Sequence, residues 1–430
     1  MSSFTSDAAS ALPGPDWLRA RRAAAAERFA AMALPTEAEE IWRYSRISQL
    51  DLGAFSPPVL VGAGDANSAV PAALRPVLGS AGPHGAMVVV RNGQVVFASS
   101  SPAWADRGLV VGDAATVADG DDALGSVASA STDAFTELNA AFLPGAALVR
   151  VPAGLVVDEP VLVVHWFDGE GTAAFPRTIV QAGPDSEVTV VEHQASADVH
   201  LLVDPVVELD AADAARVRYL NVQDLGPRVW QVGYQASRVG RDATLNSAVV
   251  ALGGHYARVR TDSSITGKGG TSYLNAVYFA DGERMHDFRT LQDHAAPSST
   301  SDLLFKGAVQ DRGRSVYSGL IRVRKEAPGT NAFQTNRNLV LSEGASAESV
   351  PNLEIETNDV RCSHASAVGP IDEDQLYYLE SRGVPPEAAE RLIVLGFFGE
   401  VLERLPAPAM VGAIRAGVAG RLTGQGALSS

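Results

Sequence analysis

Cysteine is almost missing from this 430-residue chain, which holds one, Cys362, beside 40 glycines. A single thiol cannot close an intramolecular disulfide, which fits a reducing compartment. Long hydrophobic runs are missing too. No stretch approaches the ~18 uninterrupted apolar residues of a membrane span. Met1-Ser2-Ser3-Phe4-Thr5-Ser6-Asp7 has neither the basic flank nor the apolar stretch of a secretion signal. Positive charge is scarce: 34 Lys and Arg stand against 50 Asp and Glu, a net charge of −16. Nucleic acid and anionic membrane both need a basic face, so neither is an expected partner. A cytoplasmic location is the expectation. The common catalytic signatures are also missing. There is no Gly-x4-Gly-Lys-Ser/Thr loop, no Gly-x-Gly-x-x-Gly fingerprint, no Gly-x-Ser-x-Gly elbow and no His-Glu-x-x-His. Thr266-Gly267-Lys268-Gly269-Gly270-Thr271 is only a glycine-rich turn.

What is present divides into three textures, and the length demands more than one small core. Residues 1–147 read as a helical and mixed region. Pro15-Asp16-Trp17 opens a helix running to Met32, and Thr36 and Glu39 have capping-box spacing ahead of Ile41, Trp42 and Tyr44. Residues 53–85 read as a loop-rich connection. Short strands follow at 86–91 and 94–97, with a helix around Asp133–Phe142.

Residues 148–368 are a series of short strand-like runs, such as Val161–His165, Glu187–Glu192 and Trp230–Tyr234. Gly, Asp, Pro and Ser punctuate them, with no 3.6-residue rhythm between. Leu-Asn recurs at 220, 245 and 274, followed by Asp302-Leu303, so the leucines stand 25, 29 and 29 residues apart. A propeller blade needs about 40–45 residues, so this period fits one coil of a β-helix better. Two β-sandwiches are the structural alternative. Residues 369–430 read as a helical domain. Asp372-Glu373-Asp374 marks one helix start, Arg382 and Gly383 its end, and Pro385-Pro386 the next start. Apolar positions Ala389, Leu392, Ile393, Phe397, Val401 and Leu405 keep a helical rhythm, and the Phe397-Phe398 pair reads as exposed. This domain is either a cap on the solenoid or a docking surface.

The candidate metal ligands are Cys362 and His364. Thiolate and imidazole suit zinc, copper(I) or iron–sulfur chemistry. On an extended segment they share a face. A closed metal site needs about four ligands. The pair is therefore either half of a shared site or an ordinary buried cysteine beside a histidine. His286 and His294 share a strand face, with Asp287 and Asp293 as conceivable partners, although satisfied polar residues on the solenoid surface are the simpler reading. Arginines at 258, 260, 284, 289, 312, 314, 322 and 324 suggest ladders with Asp and Glu across coils on a solvated face. Asn336-Arg337-Asn338 suggests a polar turn or ladder.

From Gln334 onward the chain resembles a known family. Gln334-Thr-Asn-Arg-Asn-Leu-Val-Leu-Ser-Glu-Gly-Ala345, Ala347-Glu-Ser-Val-Pro-Asn-Leu-Glu-Ile355, Asn358-Asp-Val-Arg-Cys-Ser-His364 and Val368-Gly-Pro-Ile-Asp-Glu-Asp-Gln-Leu-Tyr-Tyr-Leu-Glu-Ser-Arg-Gly383 are similar to the C-terminal signature of the SufB/SufD family. Glu39-Glu40-Ile41-Trp42-Arg43-Tyr44 is similar to its early Glu-x-Trp-Arg-Tyr segment. Length and the Cys-Ser-His form look like SufD. The family's usual His-Gly-Ala-Thr-Val-Gly is replaced after His364 by Ala365-Ser366-Ala367, which bears on the backbone shape there. The resemblance implies a mainly β chain, with a right-handed parallel β-helix core and helical ends. It implies a non-catalytic scaffold for iron–sulfur cluster assembly, paired with a SufB-like subunit or a second copy. A SufC-like ATPase would dock on the C-terminal helices, and apo-proteins would receive the cluster. It places a nascent cluster at the shared interface, with His364 matching the family's histidine and Cys362 the weaker candidate. A reduced flavin accompanies some such complexes, and no motif here locates one. A β-helix carbohydrate-active enzyme is the remaining alternative and requires converging carboxylates in a cleft.

Overall fold

The computed structural model describes residues 3–424 except 59, 61–71, 76–78, 80–81 and 130. Most of the loop-rich connection expected at 53–85 lies outside the described residues. The chain winds as a parallel β-solenoid of about eight turns, with helices at both ends. Each full coil contributes one strand to each of two facing sheets. The first sheet has ten strands. It starts with the antiparallel pair Gln94–Ser100 and Ala86–Arg91, continues in parallel through strands such as Thr271–Ala280 and Thr300–Val309, and ends with Thr330–Val340 and Val360–Gly369. The second sheet starts with the antiparallel pair Val110–Asp113 and Ala147–Val151. It ends with Met285–His294, Arg314–Val323 and Ser346–Ile355. Successive coils pair in parallel throughout, which rules out the sandwich alternative. The sheets begin ahead of residue 148, because Ala86–Arg91 pairs in parallel with Val161–Phe167.

The coil period is real, but the Leu-Asn dipeptides do not mark it. In the ladder Val217 lies beside Leu245, Leu220 beside Ala248, and Ser247 beside Leu274. Only Leu274 and Leu303 are true register partners. The repeat resides in the corners instead. Asp185, Ala214, Asp242, Gly269, Ser298 and Gly329 each adopt left-handed φ between 56° and 75°. Each donates its N–H to a carbonyl of the next coil's corner, as from Asp242 to Lys268 at 2.9 Å and from Gly269 to Pro297 at 3.1 Å. At one corner the chain passes so close that a Cβ on Gly267 would stand 1.9 Å from the Arg241 nitrogen.

Helices cover the outer faces. The Asp16–Ala31 and Ala134–Phe142 helices pack with Trp42 on the second sheet, burying Ile179, Trp230, Tyr256 and Met285. Asp133 caps the latter helix, its side chain accepting from Phe135 and Thr136 N–H. The Thr36–Glu39 box forms its Glu39-to-Thr36 N–H contact at 2.9 Å, yet only a single 3₁₀ turn, Glu40–Trp42, follows. That turn acts as a clip. The Trp42 ring lies 3.8 Å from the Arg258 guanidinium, and the Ile41 and Arg43 carbonyls accept from Arg258 and Arg289. Both arginines pair with Asp287 at 2.7 Å, all three being buried. These members of the arginine row are thus not solvated. Arg312, Arg322 and Arg324 do ladder across coils, to Glu283, Glu354 and Asp293.

On the first sheet the Pro386–Glu403 and Val411–Leu422 helices bury Leu220, Val250, Phe279 and Leu304. Buried Arg421 pairs with Asp224 at 3.0 Å, and Lys306 reaches Glu400 at 2.8 Å. Phe398 is fully buried in this contact and Phe397 half-buried under Lys306, so the phenylalanine pair is an anchor and not an exposed patch. The buried stripe runs through Ala389, Val394, Phe398, Val401 and Leu402, while Leu392 faces outward. Asp372 caps the Glu373–Ser381 helix and Gly383 ends it at φ 86°, as expected.

Candidate metal centre at the open end of the solenoid

In a strand alternate residues face opposite sides, and the register tells which side is the lumen. Ala332 faces inward, packed with Ile321, Val323 and Ala327, and Cys362 lies beside it on the last strand and joins that cluster. His364, two residues on, therefore also faces the lumen side. Its ladder neighbour one coil below is Gln334. The strand runs unbroken from Val360 to Gly369, with Ala365–Ala367 in register with Thr335–Arg337, so the altered residues after His364 leave the backbone regular.

Among the described residues no strand lies beyond Val360–Gly369 or Ser346–Ile355. The solenoid ends in an open mouth. Inward Leu353, Ile355 and Val368 are 37%, 42% and 45% exposed there, and His364 is exposed. Cys362 is half-buried. Burial pushes its thiol above the ordinary range, with a partial offset from the Ala332 backbone. A protonated thiol is a poor ligand until a metal displaces the proton. His364 is thus the more accessible of the two. Among the described residues no three of His, Cys, Asp and Glu gather as a cation cage.

Two further polar groups line the mouth, and sequence reasoning assigned neither a role. Gln334 is 1% exposed, and neither its Oε1 nor its Nε2 has a hydrogen-bond partner among the described residues. Ser349, on the last strand of the second sheet, keeps a buried, unpartnered Oγ. The spacing of both matches inward strand positions, the only signal that could have marked them.

The other candidates lie elsewhere. His286 and His294 face the lumen, fully buried, not the solenoid surface. Both ring nitrogens of His294 meet hydroxyls, Ser299 at 2.7 Å and Ser301 at 2.8 Å, and His286 Nε2 lies 3.1 Å from the Phe279 carbonyl. Burial lowers their pKa to about 3 and about 4 respectively, so both are neutral structural groups. Asp287 and Asp293 point to the opposite face, toward their arginines. Asn336 and Asn338 form an interior ladder closed by Tyr278, whose hydroxyl donates to Asn338 at 2.7 Å and accepts from Asn336 at 2.9 Å. A second interior cluster joins His165, Glu192 and Tyr219, with Glu192 3.3 Å from His165.

Residues 165–397, more than half of the chain and including the whole open end, match the family model described as "SUF system FeS cluster assembly, SufBD core domain". The chain belongs to the SufB/SufD family. It is 38% identical to an iron–sulfur cluster assembly SufBD family protein of Mycobacterium tuberculosis over 287 residues, 65% of this chain and 70% of that relative. It is 28% identical to the iron–sulfur cluster assembly protein SufD of Escherichia coli over 396 residues, 91% and 90% of the two chains. The SufD of Bacillus subtilis is 32% identical over 274 residues, 63% of each. In this SufB/SufD-family chain the matched span holds the solenoid coils after the first, both edge strands, Cys362 and His364.

Proposed function

We propose that this chain is a non-catalytic scaffold subunit for iron–sulfur cluster assembly in the cytoplasm, whose open end is completed by a second solenoid. The observation that carries this reading is the mouth: two edge strands with free backbone groups, apolar inward residues left exposed, and an inward imidazole with no companion ligands. Edge strands pair readily with another chain's strands. A partner that continued both sheets would cover Leu353, Ile355 and Val368 and bring ligands to His364, so the nascent cluster, the cargo of the complex, would be held between subunits. The partner is a SufB-like subunit; a second copy of this chain is the alternative. Cluster transfer to apo-proteins follows when the mouth opens.

Work on the scaffold needs an energy source, and a SufC-like ATPase is assigned to the C-terminal helical domain. Exposed Tyr377, Tyr378 and Leu392, at 73%, 57% and 52%, mark the face that remains once Phe398 is spent on the solenoid. A flavin in the complex remains part of the proposal without an assigned site. The carbohydrate-active alternative loses support because many of the solenoid's acidic residues are occupied by arginines: Asp287, Asp293, Glu187, Glu208 and Asp210 each hold one within 3 Å.

Isolation of the tagged chain from its native cell should bring down a SufB-like subunit and a SufC-like ATPase. Cluster formation by that complex should fall about tenfold or more in His364→Ala, with the thermal midpoint unchanged because the residue is exposed. Unimpaired assembly in a folded His364→Ala complex removes the ligand role, and recovery of homodimers alone selects the second copy as partner.

A further inference from the structure

Some polar side chains inside this solenoid are paired with one another, while others, His193 and Gln292 among them, are not. The Asn336, Asn338 and Tyr278 ladder and the His294 pair of hydroxyls show the paired arrangement. Gln334 is unpaired and lies directly beneath His364. Its amide crosses the lumen toward the opposite sheet, where Gly319 makes room: a Cβ there would stand 2.7 Å from Gln334 Nε2. The side chain therefore forms the floor of the mouth, one strand spacing of about 4.8 Å below the last strand. Leaving a buried amide without partners costs stability, and leucine would fill the same space at no such cost. Gln292, deeper in the lumen, is unpartnered too but has no exposed ligand above it.

Resting on the scaffold reading above, we propose that Gln334 is a positioning residue for His364. In the closed mouth its side-chain carbonyl accepts the imidazole N–H of His364. That fixes one tautomer and leaves the other ring nitrogen, with its lone pair, facing the iron of the nascent cluster. Metal-bound histidines are regularly held in this way through their second nitrogen. The register supplies the closeness, the burial supplies rigidity, and the vacant acceptor supplies the chemistry.

The test uses the full-length chain in complex with its partner subunits, comparing Gln334→Leu, Gln334→Glu and His364→Ala. Gln334→Leu should slow cluster formation about tenfold or more, while the thermal midpoint of the isolated chain holds or rises. Gln334→Glu retains an acceptor for the imidazole N–H and should return the rate to within about threefold of wild type. Gln334→Met, long and without an acceptor, replaces the leucine variant if that one misfolds. A wild-type rate in the apolar variant with a slow His364→Ala overturns the positioning role and leaves the scaffold reading standing. Wild-type rates in both overturn the ligand role of His364 and the inference with it. A rate and a midpoint that fall together in all Gln334 variants reduce the residue to packing and overturn the proposal.

Discussion

The two ends of the solenoid solve the same problem in opposite ways. A stack of parallel coils has two exposed terminal coils, and each must be capped or paired. At the N-terminal end both sheets finish in an antiparallel strand, Gln94–Ser100 and Val110–Asp113. Helices and the Trp42 clip lie along the flank of the second sheet, over Trp230, Tyr256 and Met285. At the C-terminal end, among the described residues, no antiparallel strand closes either sheet, and the Pro386–Glu403 helix packs elsewhere. That helix is used on the flank of the first sheet, over Leu304 and Val250. The bare end is thus a built feature, and among the described residues the one exposed inward histidine, His364, sits on it. The contrast teaches where to look for function: in the coil whose apolar lumen is unfinished.

The largest effect expected is on the covered flank of the second sheet, against which the bare end is compared. Trp42 is 1% exposed and lies over Arg258, so Trp42→Ala should cost about 3–5 kcal/mol through the cavity and the uncovered ion cluster. Urea unfolding of the isolated chain measures it, and a loss below 1 kcal/mol would show the clip to be ornamental. The opposite pattern is expected at the open end. Leu353→Lys combined with Val368→Lys should leave unfolding free energy almost unchanged, since both positions are already wet. Affinity for the partner solenoid should fall on the order of 100-fold, read by light scattering and titration. Retained association would move the interface away from the mouth.

Acid provides a third and smaller lever on the closed body. Desolvation holds His286 near pKa 3 and His294 near 4, below the 6.5 of an ordinary histidine. Between those values the unfolded chain binds protons that the folded chain refuses. Stability is therefore full above about pH 6.5 and declines as pH falls toward 4, by about 2 kcal/mol per histidine at pH 5. His286→Gln should flatten the difference between unfolding at pH 7 and pH 5 by that amount. An unaltered difference would mean that water reaches this part of the lumen.

Much of this was legible in the sequence, and the misses share a physical cause. Strand zone, helical ends, the helix start at Asp372-Glu373-Asp374 and the Gly383 stop followed from local rules. The repeat register did not, because residue type does not reveal which wall a side chain faces. Leu220 is buried outward beneath the C-terminal helices, whereas Leu245 is buried inward, so the same dipeptide marks opposite faces. Phe397-Phe398 looked exposed for the same reason: the partner surface is a sheet far away in sequence. Polar lumen residues such as His286, Gln334 and Asn336 alternate as surface residues do, and only the register turns them inward. His364 stood out through family resemblance; its spacing from Cys362 alone favoured a buried thiol.

The smallest expected effect separates the two members of that pair. Cys362 packs against Ile321, Val323 and Ala332 and its thiol is pushed up by burial, whereas His364 is exposed. Cys362→Ala removes one half-buried sulfur and should cost less than about 1 kcal/mol. If packing is its role, cluster formation by the complex should stay within about threefold of wild type, well short of the tenfold or greater loss expected for His364→Ala. A Cys362→Ala complex as impaired as His364→Ala, at unchanged stability, would instead make the thiol a ligand. The partner-covered mouth would then have to lower its pKa, since burial within this chain raises it. Measuring assembly and unfolding on the same pair of variants therefore decides which atom of the open end meets the iron.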